Sequence, residues 1–249
     1  MADLDLDQTV ETMTAPSAQR LAALAAVTTG DAAVPLNALR RTAADMLALA
    51  QQAADRVTAL RANDQLPLEH RQRVERETID TTRVLLGKMN AAAHAQVPKY
   101  RAAQEDGLVP SAARTDSGVR LLRRQEIETA MSAQPGTRLQ QARRILGRSP
   151  AWDGELMSDY GRALLGDDWD AVRAEMVGTW RARSDGTARQ LSSRRALGAM
   201  DDANVPGAIA AYNTAALLLL QAVENRAVRQ PAPPGVTPAR AARESWRNR

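Results

Sequence analysis

The chain has 249 residues, which is enough for one large domain or two small ones with a buried core. It contains no cysteine, so disulfides and thiolate metal sites are excluded, and its 33 basic side chains exceed its 29 acidic ones to give a net charge of +4. Phe is absent, aromatic residues make up 3% of the chain, and Ala, Leu and Val supply most of the apolar surface. Because Ala and Leu favour helices and no segment alternates like a strand, the composition predicts an all-α protein.

Residues 1–15 are predicted to form an acidic, flexible N-terminal arm, because the segment carries four acidic residues from Asp3 to Glu11 and has no helical periodicity. The segment lacks the basic flank and the apolar core of a secretory signal. We therefore expect a cytoplasmic location, or a place in a virion assembled in the cytoplasm. A first short helix is predicted from Pro16 to Val27.

A long antiparallel helical hairpin is predicted in residues 16–106. Its first helix begins near Pro35 and carries apolar residues that are alternately three and four positions apart, as in the seam of a coiled coil. That helix ends near Asn63, and Pro67 opens a second helix after a short loop, so the two helices must run antiparallel. The predicted seam consists of Leu36, Leu39, Ala43, Met46, Ala50, Ala53, Val57 and Leu60.

Residues 107–230 are predicted to form a bundle of shorter helices, which follows a polar connection from Gly107 to Gly118. Capping residues, prolines and glycines mark the helix ends. The apolar stretch from Ala208 to Val223 is about 16 residues long, shorter than the roughly 20 that a membrane span needs. It is therefore predicted to be a core helix, and no membrane partner is expected. The predicted helices run from about 116 to 133, 137 to 147, 149 to 165, 167 to 183, 187 to 200 and 206 to 229.

The last region, residues 231–249, is predicted to be a Pro- and Arg-rich C-terminal arm. A solvated tail is one interpretation. The alternative is a docking arm whose single aromatic residue fills a pocket on a neighbour, while its arginines pair with acidic groups such as those of the N-terminal arm of another copy. The residues of this candidate docking arm are Arg240, Arg243, Trp246, Arg247 and Arg249.

No catalytic, cofactor-binding or metal-binding residues are predicted. The two histidines, His70 and His94, have no carboxylate three or four positions further on, as a di-iron helix would. The sequence has no phosphate-binding Gly-rich loop and no nucleophile motif. Asp153 and Glu155 are the best carboxylate pair, but two acidic residues near a helix start are typical of capping. We therefore expect neither an enzyme nor a cofactor.

Arginines are concentrated in the predicted helices between residues 120 and 148. Residues 107–249 hold 21 basic and 15 acidic side chains, against 12 basic and 14 acidic in residues 1–106. Three interpretations fit these arginines: a solvated face, a surface that contacts phosphates, and a surface that binds an acidic protein. The candidate contact residues are Arg120, Arg123, Arg124, Arg138, Arg143, Arg144 and Arg148.

We expect a non-enzymatic structural or assembly protein that presents helical surfaces to other protein subunits, including copies of itself. Abundant Ala and Arg beside only two lysines, Lys88 and Lys99, is typical of GC-rich coding DNA. A bacteriophage virion or head–tail component is therefore one version of this expectation. Nucleic-acid binding through the Arg-rich helices 120–148 is the first alternative, and an enzyme of unfamiliar helical type is the second.

Overall fold

A computed structural model describes residues 6–110 and 116–228 of the chain. Within these ranges there are eleven α-helices, two 3-10 turns and no strand, so the prediction of an all-α protein is confirmed. The 3-10 turns are Gly30–Ala32 and Gly166–Asp168. The helices are α1 (Leu6–Val27), α2 (Ala33–Ala62), α3 (Leu68–His94), α4 (Gln96–Leu108), α5 (Ser117–Ser132), α6 (Arg138–Ile145), α7 (Pro150–Leu156), α8 (Asp159–Leu165), α9 (Trp169–Ala182), α10 (Ala188–Ala203) and α11 (Val205–Val228).

Several of the later helices begin at side chains that the sequence marks as caps. Asp116 accepts a hydrogen bond of 3.2 Å from the Gly118 amide at the start of α5. Thr137 and Thr187 each form a capping box with the glutamine three residues later, at the starts of α6 and α10. These side chains satisfy amides that have no partner within the first helical turn. Local sequence therefore sets where these helices begin.

Helix α1 begins at Leu6, well before the predicted start at Pro16, so the prediction of a flexible arm is wrong for residues 6–15. Thr14 on this helix is buried, and its hydroxyl donates to the Val10 carbonyl oxygen at 2.8 Å. A small polar residue can thus occupy the buried side of a helix when a carbonyl oxygen of the same helix accepts its hydroxyl hydrogen bond. The sequence of such a helix shows no apolar periodicity. The first residues of the arm lie outside the described part of the chain.

The single helix predicted from 149 to 165 is two helices, α7 and α8, which meet at Ser158. The Ser158 hydroxyl donates to the Glu155 carbonyl oxygen at 2.6 Å, and Ser158 is the residue at the N-cap of α8. Gly161 lets the two helices approach closely, because a Cβ there would lie 1.8 Å from the Leu156 carbonyl oxygen. The prediction is wrong here because a break formed by one glycine and one backbone contact leaves the spacing of apolar residues unchanged.

Helices α4 and α10 pack closely through small residues. Gly107 lies in α4, where an added Cβ would be 2.3 Å from the buried Ser193 hydroxyl of α10. Helix α4 continues to Leu108, so the polar connection predicted from Gly107 begins inside a helix. Residues 111–115 of that connection lie outside the described ranges.

The chain divides into two compact units, each built from separate stretches of sequence. The first unit consists of Met1–Ala15, Thr42–Ala91 and Ile209–Arg249, and the second consists of Pro16–Arg41 and Ala92–Ala208. Helices α1, α2, α3 and α11 therefore each contribute residues to both units. The connection at 107–118, which the sequence suggests as a boundary between regions, lies within the second unit.

In the first unit, α2 and α3 run antiparallel and side by side. Arg61 near the end of α2 forms an ion pair with Glu75 of α3, and Arg83 of α3 forms another with Glu224 of α11. An apolar cluster joins the same three helices and consists of Ala54, Val57, Ile79 and Val223. Helix α11 thus covers one side of the α2–α3 pair.

The predicted seam residues of α2 face the interior of the protein. Leu60, at the end of the series, is half-buried. The other seven are buried, and they are Leu36, Leu39, Ala43, Met46, Ala50, Ala53 and Val57.

The second unit has a larger apolar core, to which α4–α10 all contribute. Its aromatic centre is Trp180 of α9, which is buried. The other buried members are Leu108, Val109, Ile127, Met131, Ala142, Ile145, Leu156, Leu165, Val172, Met176 and Leu197.

Helix α11 contains a stretch, Val205–Asn225, that is long and apolar enough to cross a membrane on length and composition alone. Its mean hydropathy is 1.3, and 39% of the most apolar window is buried inside the protein. The buried side includes Ala208, Ala215 and Leu220. Core helices of water-soluble proteins meet the same criteria, so the stretch by itself assigns no membrane role.

Candidate functional site

The carboxylate of Glu155 is fully buried and binds two arginines of α5. Arg120 donates to it through Nε at 3.0 Å and through Nη2 at 3.4 Å, and the Arg124 Nε donates at 3.2 Å. Both arginines are partly exposed, whereas Glu155 in α7 is not. Burial by itself raises the pKa of Glu155, but the hydrogen bonds and charges of the two arginines outweigh it and leave that pKa below its ordinary value. This cluster joins α7 to α5.

Asp153 is the second fully buried carboxylate of α7, and neutral donors bind it. Its Oδ2 accepts a hydrogen bond of 2.8 Å from the Trp180 indole, and its Oδ1 accepts one of 3.0 Å from the Gly147 amide. Burial raises the pKa of Asp153, while these two bonds and the charge of Arg183 lower it in part. Arg183 itself lies over the Trp180 ring, with its guanidinium carbon 4.5 Å from the centroid.

Asp153 and Glu155, the best carboxylate pair of the sequence, therefore have pKa shifts of opposite direction although they lie in one short helix. The pKa of Asp153 is raised and that of Glu155 is lowered. Neither lines one of the surface clefts described below. A general acid or base must reach a substrate proton, and a fully buried carboxylate whose oxygens are bound by its own chain is poorly placed to do so. Asp153 and Glu155 instead hold α5, α7 and α9 together.

The other candidate arginines lie on α5 and α6 or just after α6, and most of them contact their own chain. Arg123 is half-buried on α5, and Arg148 is exposed and forms no ion pair with any described residue. Of the seven, Arg120 and Arg124 bind one common partner, Glu155. The contacts on α6 join Arg138 to the Leu164 carbonyl oxygen at 2.6 Å, Arg143 to Glu175 at 2.6 Å, and Arg144 to the Pro135 carbonyl oxygen at 3.1 Å.

A cleft of about 520 Å³ in the second unit has Trp169 in its wall. The guanidinium carbons of Arg162 and Arg173 lie 4.5 Å and 6.0 Å from the centroid of this ring. Arg173 also pairs with Glu105 at 3.1 Å and with Asp106 at 2.9 Å. Sequence reasoning missed this cluster because its members come from α4, α8 and α9, and no local spacing connects them.

A smaller pocket of about 270 Å³ in the same unit is more polar. Its wall includes the carboxylate residue Asp31, the amide residue Gln104 and the guanidinium residue Arg189. Carboxylate, amide and guanidinium groups bind polar molecules in many proteins.

Neighbouring large apolar side chains are exposed together on two helices. On α5, Val119, Leu121 and Leu122 are 41%, 57% and 61% exposed, and on α3 Val84 and Leu85 are 59% and 40% exposed. Single exposed apolar residues are normal, whereas neighbouring ones on one helix are typical of interaction surfaces.

The remaining candidate residues do not form a site in the described part of the chain. Those residues include no group of three or more His, Cys, Asp or Glu side chains that could hold a metal ion. His70 lies on the surface with its Nδ1 3.3 Å from an Arg73 nitrogen. The candidate docking arm, Arg240–Arg249, lies outside the described residues.

Comparison of the chain with protein-family models, curated proteins and solved structures finds no match.

Proposed function

We propose that this protein is a non-enzymatic structural or assembly protein that acts through helical protein–protein interfaces, in an oligomer or in a larger particle. The observation that carries the proposal is the exposure of Val119, Leu121 and Leu122 together at the start of α5. An apolar surface of this kind loses contact with water when a partner covers it, and that burial favours association.

The α2–α3 pair supports the same proposal, in which the two helices act as a coiled-coil-like hairpin. Three of the eight predicted seam residues, Ala43, Ala50 and Ala53, are alanines, and small side chains allow helices to approach closely. Such a hairpin suits association with other helices. The terminal segments of opposite charge, acidic from Asp3 and basic to Arg249, would add polar contacts between copies.

A bacteriophage virion or head–tail component is the concrete version of this proposal, with a cytoplasmic site of assembly. It rests on the size of the chain and on its Ala- and Arg-rich, Lys-poor composition. In this version α11 is a core helix, and the partners are protein subunits with no membrane involved.

Nucleic-acid binding through helices 120–148 is the alternative. It needs guanidinium groups that are free to contact phosphates, and Arg120, Arg124 and Arg143 already pair with carboxylates of their own chain. Binding of generic duplex DNA that weakens steeply as salt rises would favour this alternative over assembly.

The test of the assembly proposal is the mass of the full chain in solution over a wide range of protein concentrations. We expect a defined oligomer, and we expect a variant that ends at Gln230 to form smaller species. A full-length protein that is monomeric at every concentration and that turns over a small substrate would overturn the proposal in favour of an enzyme.

A further inference from the structure

The first unit has a long groove whose two walls are α2 and α3. Its volume is about 550 Å³, and its apolar lining includes Leu49 and Ala53 of α2 and Val74 and Leu85 of α3. Leu85 is 40% exposed. The groove therefore presents Leu49, Val74 and Leu85 to solvent, whereas Ala53 is buried.

Two of the three threonines that line the groove add to its apolar character. The Thr78 hydroxyl donates to the Val74 carbonyl oxygen at 2.7 Å, and the Thr82 hydroxyl donates to the Thr78 carbonyl oxygen at 2.7 Å. Because these hydroxyl protons are already bound within α3, a partner can contact the threonine methyl groups without leaving a hydroxyl donor unsatisfied.

One charged residue stands on each wall of the groove. Arg56 lines it from α2 and Glu77 lines it from α3, and neither forms an ion pair with another residue in the part of the chain that the structure describes. The two charges are opposite in sign and available to a partner.

The register of the hairpin places these two charges at nearly the same height. Arg61 pairs with Glu75 across the two helices, which fixes one level of the hairpin. A helix rises about 1.5 Å per residue, so Arg56 lies roughly 7.5 Å further from the connecting loop than Arg61 does along α2. By the same rise, Glu77 lies roughly 3 Å further from that loop than Glu75 does along α3. The difference of roughly 4–5 Å is within the reach of an arginine and a glutamate side chain.

We propose that the groove is a homodimer interface, in which the α2–α3 pair of a second copy covers it. A twofold axis parallel to the helices places α2 of each copy opposite α3 of the other and leaves every residue at its own height. Arg56 of each copy then meets Glu77 of the other, and both ion pairs form at once. The inference rests on the proposed function and names one surface through which the protein assembles.

The test exchanges the two charges. In the full chain, R56E and E77R each place like charges opposite each other, so each variant should raise the dimer dissociation constant by about tenfold or more. The double variant R56E/E77R restores opposite charges at both contacts and should return the dissociation constant close to that of the original protein. Sedimentation equilibrium over a wide concentration range measures all three.

Two control variants separate this contact from a general effect of charge. Arg76 and Glu69 are exposed on α3 and do not line the groove. R76E and E69R make the same changes in net charge, and they should leave the dissociation constant within about twofold of the original value.

Each outcome decides a different point. Single variants that associate as well as the original protein, or a double variant that does not recover, would overturn the groove interface, while continued self-association would leave the assembly proposal standing. An original protein that stays monomeric throughout would overturn the groove interface, and turnover of a small substrate by that monomer would overturn the assembly proposal as well.

Discussion

The Trp180 indole nitrogen donates a 2.8 Å hydrogen bond to Oδ2 of Asp153, and both side chains are buried. The second oxygen of the same carboxylate binds the Gly147 amide, in the turn that follows α6. One short side chain therefore connects α7, α9 and this turn. Because each oxygen has its own donor, the carboxylate is tolerated in an otherwise apolar core.

Removing this acceptor should cost more stability than removing its charge. D153A leaves the donors of Trp180 and Gly147 buried without a partner, so we expect the free energy of unfolding to fall by about 2–4 kcal/mol. D153N keeps one acceptor oxygen and should cost less. Urea unfolding followed by circular dichroism measures both, and equal losses in the two variants would contradict the assigned role of the hydrogen bonds.

Glu155 should make stability depend on pH in the acidic range. Its pKa in the folded protein lies below the ordinary value of 4.5, so its ion pairs stabilise the fold fully above that value and are lost as the pH falls through the folded pKa. We expect E155Q to cost about 1–3 kcal/mol at pH 7 and clearly less at pH 3. A loss that is the same at both values would show that the charge of Glu155 contributes nothing.

Two Gly→Ala substitutions should change stability in opposite directions. At Gly161 a Cβ would lie 1.8 Å from a backbone oxygen, that of Leu156, so G161A should cost about 2–4 kcal/mol. At Gly178, inside α9, a Cβ would meet nothing within 4 Å, so G178A should stabilise the protein by about 0.5–1 kcal/mol through helix propensity. Thermal unfolding of the two variants is the measurement, and equal shifts would contradict the close approach of α7 and α8.

The exposed leucines of α5 should matter for association and not for folding. Leu121 and Leu122 are more than half exposed, so replacing both by serine should change the free energy of unfolding by no more than about 0.5 kcal/mol. The same double variant should weaken self-association in sedimentation experiments. L68S changes an equally exposed leucine at the start of α3 and serves as the control. A double variant that associates normally would remove α5 from the surfaces through which the protein is proposed to assemble.

The sequence predicted the parts of the fold that depend on neighbours along the chain. Capping residues such as Thr137 and Thr187, and prolines such as Pro67 and Pro150, lie close to observed helix starts, because they act on the backbone within one turn. The period of apolar residues in α2 likewise identified the buried side of that helix, where Met46 is one of the residues that solvent does not reach.

The charged contacts of the second unit could not be predicted in this way. Arg120 and Arg124 precede Glu155 in the chain by 35 and 31 residues, and their meeting depends on how α5 and α7 pack. The sequence therefore indicated a basic surface, whereas in the structure two of its arginines form ion pairs with one buried carboxylate. The start of α1 was missed for a related reason, since Thr14 is buried although it is polar.

Four helices contribute residues to both compact units, and this affects how the gene can be divided into fragments that fold. A gene fragment that ends at codon 106 would encode all of α2 and α3 but not Ile209–Arg249, the last stretch of the first unit. It would encode Pro16–Arg41 of the second unit but only the beginning of Ala92–Ala208. Neither half of the reading frame carries a whole unit. Two co-expressed halves would have to find each other to fold, so this chain is better suited to split-protein complementation than to study as isolated domains.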